Sequence, residues 1–515
     1  MLFICNGLLA QPAYQIPLYQ PIHNAYESNL PDSVMPAFTS VRPYQTQWLQ
    51  PWMQTNYNDT THGINRLRSG YFLRYTDTQL QVWATPILAY TKGKVLNNGE
   101  KTSQNTRGIQ AGLLLGKKVS IGFAFTENQG SFPQFADDYI KASREVIPGA
   151  GQGRNFKGTS YDYAFSDAYL RWTPSKTFSA TLGYGQNFLG EGYRSLFLSD
   201  FSFNYPYVQL NLNLNKLHYT VLFNQYQNLF YKIGDRNQRK WSTVHYLTVK
   251  VNKRLHLGVI DCVIWQAEDS TRFRGFDLAY LNPVPFLRPI EFANGSSDNM
   301  QMGLHGKYLL APKTYLYSQL FLDDFNFQAS RDSNQQHLNN KYAIQVGVKH
   351  FKNIKGFQLF GRVEYNYARP YMYGHRKPAQ NYTHYQLPLA HPLGANFHEV
   401  VLQINASKNR WYGELNQQIA KVGRENPATP YNDGNNVFGG EANMPNYGSY
   451  TLQGIKTSQN TSYLALGYLL NTKWNLAIEA SLLYRSVRPQ NAVSQITNWF
   501  KLGFVTRLRN AYWDF

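Results

Sequence analysis

The connections between strand-like segments constrain this chain more than any other feature. From Leu67 onward they alternate strictly between tight and long. The tight ones are Thr76-Asp77-Thr78, Gly116-Lys117-Lys118, Pro174-Ser175-Lys176, Asn215-Lys216, Asn252-Lys253-Arg254, Ala311-Pro312-Lys313, Lys352 to Gly356, Ser407-Lys408-Asn409 and Asn471-Thr472-Lys473. All are built from residues that favour turns. The long ones cover roughly 91–106, 129–160, 188–205, 227–240, 267–298, 323–340, 367–396, 424–460 and 486–496. A soluble sandwich has no reason to gather its short connections at one end. A bacterial outer-membrane barrel does, with short periplasmic turns and longer external loops.

The segments in between are about ten residues long, enough to cross a membrane at a tilt. Period-two alternation puts successive side chains on opposite faces. Val208, Leu210, Leu212 and Leu214 alternate with Gln209, Asn211 and Asn213. Leu217, Tyr219, Val221 and Phe223 oppose His218, Thr220 and Asn224. Phe357, Leu359, Gly361, Val363 and Tyr365 oppose Gln358, Arg362, Glu364 and Asn366; Leu476, Ile478, Ala480, Leu482 and Tyr484 oppose Glu479, Ser481 and Arg485. In a barrel the aliphatic face meets lipid and the polar face a wet or plugged lumen, because a charge in mid-bilayer costs about 2–4 kcal/mol. The expected fold is therefore an all-β, antiparallel transmembrane barrel. Nineteen segments can be counted, beginning with Leu67–Thr76. A single-chain bacterial barrel is even-numbered, so the choice is 18 or 20 strands.

Bulk composition agrees. Mean hydropathy is −0.47, and no apolar run approaches the ~18–20 residues of a spanning helix. The 39 Tyr and 10 Trp suit membrane interfaces and sugar faces. A formal charge of +19 favours acidic partners such as anionic glycans, lipopolysaccharide phosphates or nucleic acid, but it is spread singly over turns and strand faces, as on a solvated surface. Two cysteines, Cys5 and Cys262, make no disulfide framework or metal cluster, and the twelve His show no paired metal spacing. No metal, cofactor or nucleic-acid partner is expected. Nothing marks a catalytic residue either, so no enzyme is expected; His218, His245 and His350 read as members of a lumen network.

The chain divides into three parts. Residues 1–10 resemble the tail of a signal peptide. Residues 11–60 are irregular and Pro-rich, and read as a periplasmic or plug segment. Residues 61–515 form the barrel. Thr497–Phe515 reads as the last strand, with a bulge near Arg509-Asn510 bringing Trp513 and Phe515 into register. Within 129–160, Phe135, Tyr139 and Ile140 have helical spacing, and Pro148-Gly149 would stop a helix, which is expected to cover a barrel mouth.

Two segments carry a family resemblance. Gly185 to Asp200, GQNFLGEGYRSLFLSD, precedes Asn204-Tyr205-Pro206, and Phe276 to Gly306 reads FDLAYLNPVPFLRPIEFANGSSDNMQMGLHG. Together they resemble the Wzi family of capsule-assembly outer-membrane barrels, most closely its gliding-motility, RemB-like branch. The resemblance spans about residues 60–515. It implies 18 strands, integral location in the bacterial outer membrane, and a lectin-like role tying capsular or other surface polysaccharide to the cell. The implied partners are outer-membrane lipid and polysaccharide, with motility or secretion proteins next; a motility or adhesion accessory and an anion-selective channel are the alternatives.

The residues themselves offer a candidate site. Glu191, Arg194 and Asp200 could form an ionic cluster just inside the barrel, and Arg288 and Glu291 could do the same from the next long loop. An Arg fork suits a uronate or phosphate. The competing reading is that these charges pin inward-folded loops. Tyr367, Tyr371 and Tyr373 are the candidate sugar-facing aromatics. Gly190 and Gly192 read as turn residues.

Overall fold

A computed structural model describes residues 15–45, 68, 70–268, 273–295, 298–323, 337–440 and 444–515. The expected signal remnant, residues 1–10, and residues 11–14 and 46–60 of the expected plug segment lie outside them. Eighteen strands run in chain order around one closed antiparallel barrel: β1 Leu80–Val95, β2 Lys101–Leu115, β3 Val119–Ser131, β4 Ser160–Trp172, β5 Phe178–Gly185, β6 Tyr205–Asn213, β7 Leu217–Ile233, β8 Arg236–Lys250, β9 Leu255–Gln266, β10 Asn299–Ala311, β11 Thr314–Asp323, β12 Tyr342–Ile354, β13 Phe357–Ala368, β14 Phe397–Lys408, β15 Trp411–Arg424, β16 Ile455–Asn471, β17 Leu476–Pro489 and β18 Gln495–Thr506. Among the described residues, three α-helices lie outside the wall strands: α1 Gln20–Ser28, α2 Gln134–Ala142 and α3 Arg288–Asn294.

The wall is apolar outside and polar inside. On β6, Val208 is 38 % and Leu212 36 % exposed, while Gln209 is 4 % and Asn211 1 %. The same holds for β13, where Val363 and Tyr365 are exposed and Arg362, Glu364 and Asn366 buried. A soluble protein would show the reverse.

The nineteenth segment is explained at the seam. β18 closes the barrel on β1 only between Tyr90 and Val95, in register with Trp499 to Phe504. The other half of β1, Gln81 to Ala84, pairs with a four-residue strand, Leu73–Thr76. That strand fills the seam and does not cross the wall, so the count is 18.

Three expected long connections are hairpins of overlong strands. Residues 91–106, 227–240 and 486–496 are mostly strand, turning at 96–100, 234–235 and 490–494. Their ladders continue past the apolar zone: Lys94 pairs Lys101, and Ile233 pairs Arg236. Of the remaining long connections, 129–160, 188–205 and 367–396 are described throughout and lie at the end opposite the short turns.

The end of the chain differs from expectation. β18 stops at Thr506, and 507–515 turn inward and run up the lumen. Trp513 and Phe515 are out of register with Phe500, Leu502 and Phe504 because they leave the strand; no bulge joins them. Phe515 packs on Phe135 and Tyr139 of α2, with ring centroids 6.1 and 4.1 Å away. The helix expected within 129–160 is present, and it caps this tail.

Residues 15–45 also lie inside the barrel, at the short-turn end. Lys313 and Lys250, both beside short turns, donate to main-chain oxygens of Ser28 and Pro36 at 2.7 and 2.5 Å, and Met35 N donates to Lys253 O at 3.0 Å.

Candidate functional site

Three segments meet in mid-lumen: the N-terminal stretch carrying α1, the loop 186–204 that dips inward after β5, and the tail 507–515. Val41 and Arg42 pair as a two-residue ladder with Leu189 and Phe188, which sets the first two side by side. Asn510 joins the third, since its N–H donates to Leu18 O at 3.1 Å and its side-chain oxygen accepts from Gln20 N at 3.0 Å.

An ionic knot lies at this junction. Glu27 of α1 and Glu191 of the loop share two lysines from the wall. Lys349 of β12 lies 2.6 Å from Glu27 and 2.7 Å from Glu191; Lys307 of β10 lies 2.9 Å from Glu191 and 3.7 Å from Glu27. Arg42 adds a contact to Glu27 at 3.6 Å, and Thr39 Oγ1 donates to Glu191 at 2.7 Å. All these side chains are buried. Burial alone would raise both carboxyls, but Lys349 and Lys307 outweigh it: Glu27 is held down at about 2, and Glu191 well below the usual carboxylate range. Gly190, at φ +148°, and Gly192 let the loop enter here. A Cβ on Gly192 would fall on the Glu364 carboxylate and 2.6 Å from Arg194 O, so close approach as well as turning requires glycine.

Arg194 and Asp200 belong to separate contacts. Arg194 pairs with Glu399 of β14 at 3.2 Å and with Asp514 of the tail at 3.0 Å, between the rings of Tyr193 and Tyr512. His391 holds the other side of Glu399 at 2.7 Å. Asp200 accepts from Tyr512 Oη and Asn510 Nδ2, each at 2.7 Å, and burial pushes its carboxyl up. Glu364 of β13 accepts main-chain N–H groups of Tyr193 and Arg194 at 2.8 and 3.1 Å. Thus Glu191, Arg194 and Asp200 are all in the lumen but form no single cluster. Each ties the inward loop to a different element.

Arg288 and Glu291 are not inside the barrel. They sit on α3, which lies against the outer face of the wall, and face each other at 3.8 Å with Arg288 exposed. Tyr367 is also on the outer face, at the loop end of β13, against Tyr342 and His398. Tyr371 and Tyr373 belong to the loop 369–396, which folds inward. Both are buried, with Tyr371 Oη on Asn432 O and Tyr373 Oη on Leu196 O. Of the three histidines expected in the lumen, only His218 is there, beside Phe38. His245 and His350 face outward, because each is one register position off the lumen face of its strand.

The loop end carries aromatics that the sequence reading missed. Tyr431, Tyr447 and Tyr450, in the loop 425–454, are 41–55 % exposed. Tyr447 meets His337 edge-on at 5.0 Å, and Gly440 lies against Pro378 next to Arg376 and Lys377. The clustering of Tyr within one polar loop was the available signal. Beside the plug segments a cavity of ≈ 310 Å³ remains, lined by Gln104, Asn128, Tyr163, Asn416, Lys501 and Arg507 among others.

No family model matches the chain, and no curated protein matches it. Solved structures do. The Escherichia coli barrel Wzi, described as an outer-membrane protein involved in group 1 capsule assembly and as carbohydrate-binding, matches with a TM-score of 0.57 at 11 % identity, covering 96 % of this chain and 100 % of that one. Pseudomonas aeruginosa OprD matches at a TM-score of 0.42 and 10 % identity over 85 % of this chain and 96 % of its own, and Acinetobacter baumannii OccAB2 at 0.43 and 9 % over 82 % and 96 %. The fold is that of an outer-membrane barrel.

Proposed function

We propose that this chain is a non-enzymatic barrel of the bacterial outer membrane that holds capsular or other surface polysaccharide at the cell surface. The observation that carries this reading is the filled mid-lumen: three segments enter it and are fixed by buried ion pairs, while exposed tyrosines gather at the loop end. Such a barrel offers a rigid platform with an aromatic, cationic outer face. Tyrosine rings suit sugar faces, and Arg376 and Lys377 suit acidic groups. The solved barrel that the chain matches along its length is a carbohydrate-binding one of capsule assembly, and its likeness supports the reading.

The test is binding of the detergent-folded barrel to a panel of acidic and neutral surface polysaccharides at low and moderate salt. Salt-resistant binding to one glycan, weakened by Tyr447→Ala with Tyr450→Ala, supports the proposal. Binding to every polyanion that vanishes with salt reflects only the +19 charge. Absence of binding leaves the gliding-motility or adhesion role. The cavity of ≈ 310 Å³ favours a second reading, a solute path along the β1–β4 side, which single-channel conductance would reveal.

A further inference from the structure

Residues 275–292, between β9 and β10, lie against the outer face of the wall. Tyr246, Ile260 and Cys262 point into the lumen core. By alternation Thr243, His245, Asp261, Val263 and Trp265 therefore point outward, where lipid would be. Yet Asp261 is 3 % exposed and the other four are 0 %. Residues 275–292 cover them. Trp265 Nε1 donates to Gly275 O at 3.1 Å, Thr243 Oγ1 to Tyr280 O at 3.3 Å, and Tyr219 Oη to Pro283 O at 2.7 Å. Asp261 Oδ2 accepts from the N–H groups of Phe286 and Leu287 at 2.8 and 2.5 Å. Phe276 meets Trp265 edge-on and Tyr280 lies tilted over it, with Phe276 also against Trp241 and Phe223.

The strap's main-chain donors from Pro283 to Leu287 are all met. From Pro283 to Glu291, Pro283, Pro285 and Pro289 have no N–H. Val284 N donates to Asn282 Oδ1, Phe286 N and Leu287 N to Asp261, and Ile290 N and Glu291 N to Leu287 O. Irregular backbone at membrane depth is tolerated only when its donors and acceptors are met in this way. Outward, Leu278, Val284, Phe286 and Phe292 are 58–83 % exposed. They continue the apolar outer wall of Leu257, Met302 and Leu304, which are 40–56 % exposed. Exposed Arg288 has a stem long enough to lift its guanidinium toward headgroups.

We propose that residues 276–292 are a membrane-embedded strap whose outer side chains contact bilayer acyl chains in the loop-side leaflet. It turns a polar patch of wall, Tyr219, Thr243, His245 and Asp261, into a lipid-compatible surface. The continuity of its apolar side chains with the lipid-facing wall, and its quenched donors, select lipid over a protein partner.

The test places a thiol-reactive fluorophore on the full-length barrel in phospholipid vesicles. Cys262 is buried and stays in place; Cys5→Ser removes the other thiol. Probes go on Val284→Cys in the strap, Leu304→Cys on the wall and Val493→Cys on a loop-end turn, each variant first shown to give the compact folded band in gel electrophoresis. Doxyl-labelled lipid should quench at 284 as it does at 304, with iodide quenching only at 493. Iodide quenching at 284 equal to that at 493 overturns the proposal by placing the strap in water. Quenching at 284 by neither agent overturns it by showing that protein, a partner or a second copy, covers the strap.

Discussion

Replacing Glu191 by Gln is the sharpest perturbation of the plugged lumen. The knot holds three cations, Lys307, Lys349 and Arg42, against two carboxylates, Glu27 and Glu191, within 2.6–3.7 Å. The substitution leaves Glu27 alone with all three cations, in a site closed to water. Removing one partner of a buried pair costs about 3–5 kcal/mol, because the orphaned charge stays desolvated. Lys307→Met restores the balance, and a buried pair replaced by neutral groups is often neutral in stability, so the double variant should recover most of the loss. Glu127→Gln is the control: its partner Arg107 is 3.1 Å away, but both are more than half exposed, and such pairs contribute below about 1 kcal/mol. Denaturant unfolding of the detergent-folded barrel, followed by tryptophan fluorescence, gives the four stabilities of the cycle. Equal losses for Glu191→Gln and Glu127→Gln, or a double variant no better than the worse single one, would refute the reasoning.

Further outcomes follow from the same contacts. Glu27 titrates near 2 when folded against 4.5 ordinarily, so its contribution is complete above pH 4.5 and disappears as the pH falls through about 2, with Glu191 moving in the same direction; proteolysis of residues 15–45 should begin in that window. Gly192→Ala puts a methyl against Glu364 and Arg194 O, and should lower the unfolding midpoint more than Gly361→Ala, where a Cβ meets nothing within 4 Å. Asp514→Ala removes one of the two carboxylates on Arg194 and the acceptor of Tyr193 Oη, costing about 1–3 kcal/mol and exposing residues 507–515 to protease.

Much of the wall was legible because its rule is local. The alternation from Val208 to Leu214 and from Phe357 to Asn366 needs no distant information, and turn chemistry marked the short-turn end. Loop 227–240 misled because Gly234 to Lys240 carries no apolar side chain on either face of the strand, and polarity reads as loop. β9 misled in the opposite way. Its outward face holds Asp261, which a lipid-facing strand should not, and the cover that permits it lies 25 residues downstream, where Phe286 N and Leu287 N meet it. That placement also explains why Arg288 and Glu291 read as lumen residues. The lumen charges were visible, but their partners were not: Glu191 meets Lys307 and Lys349, and Arg194 meets Glu399 and Asp514, across more than a hundred residues. No spacing rule links such positions; only the closure of the barrel does.

The central claim is tested most directly in the bacterium that encodes this chain, by measuring how surface polysaccharide divides between cell-attached and shed fractions. Cells lacking the chain should shed it. The wild-type chain should restore attachment, and a chain with Tyr447→Ala and Tyr450→Ala, folded and present at equal amounts, should not. Equal attachment with and without the chain would contradict the account.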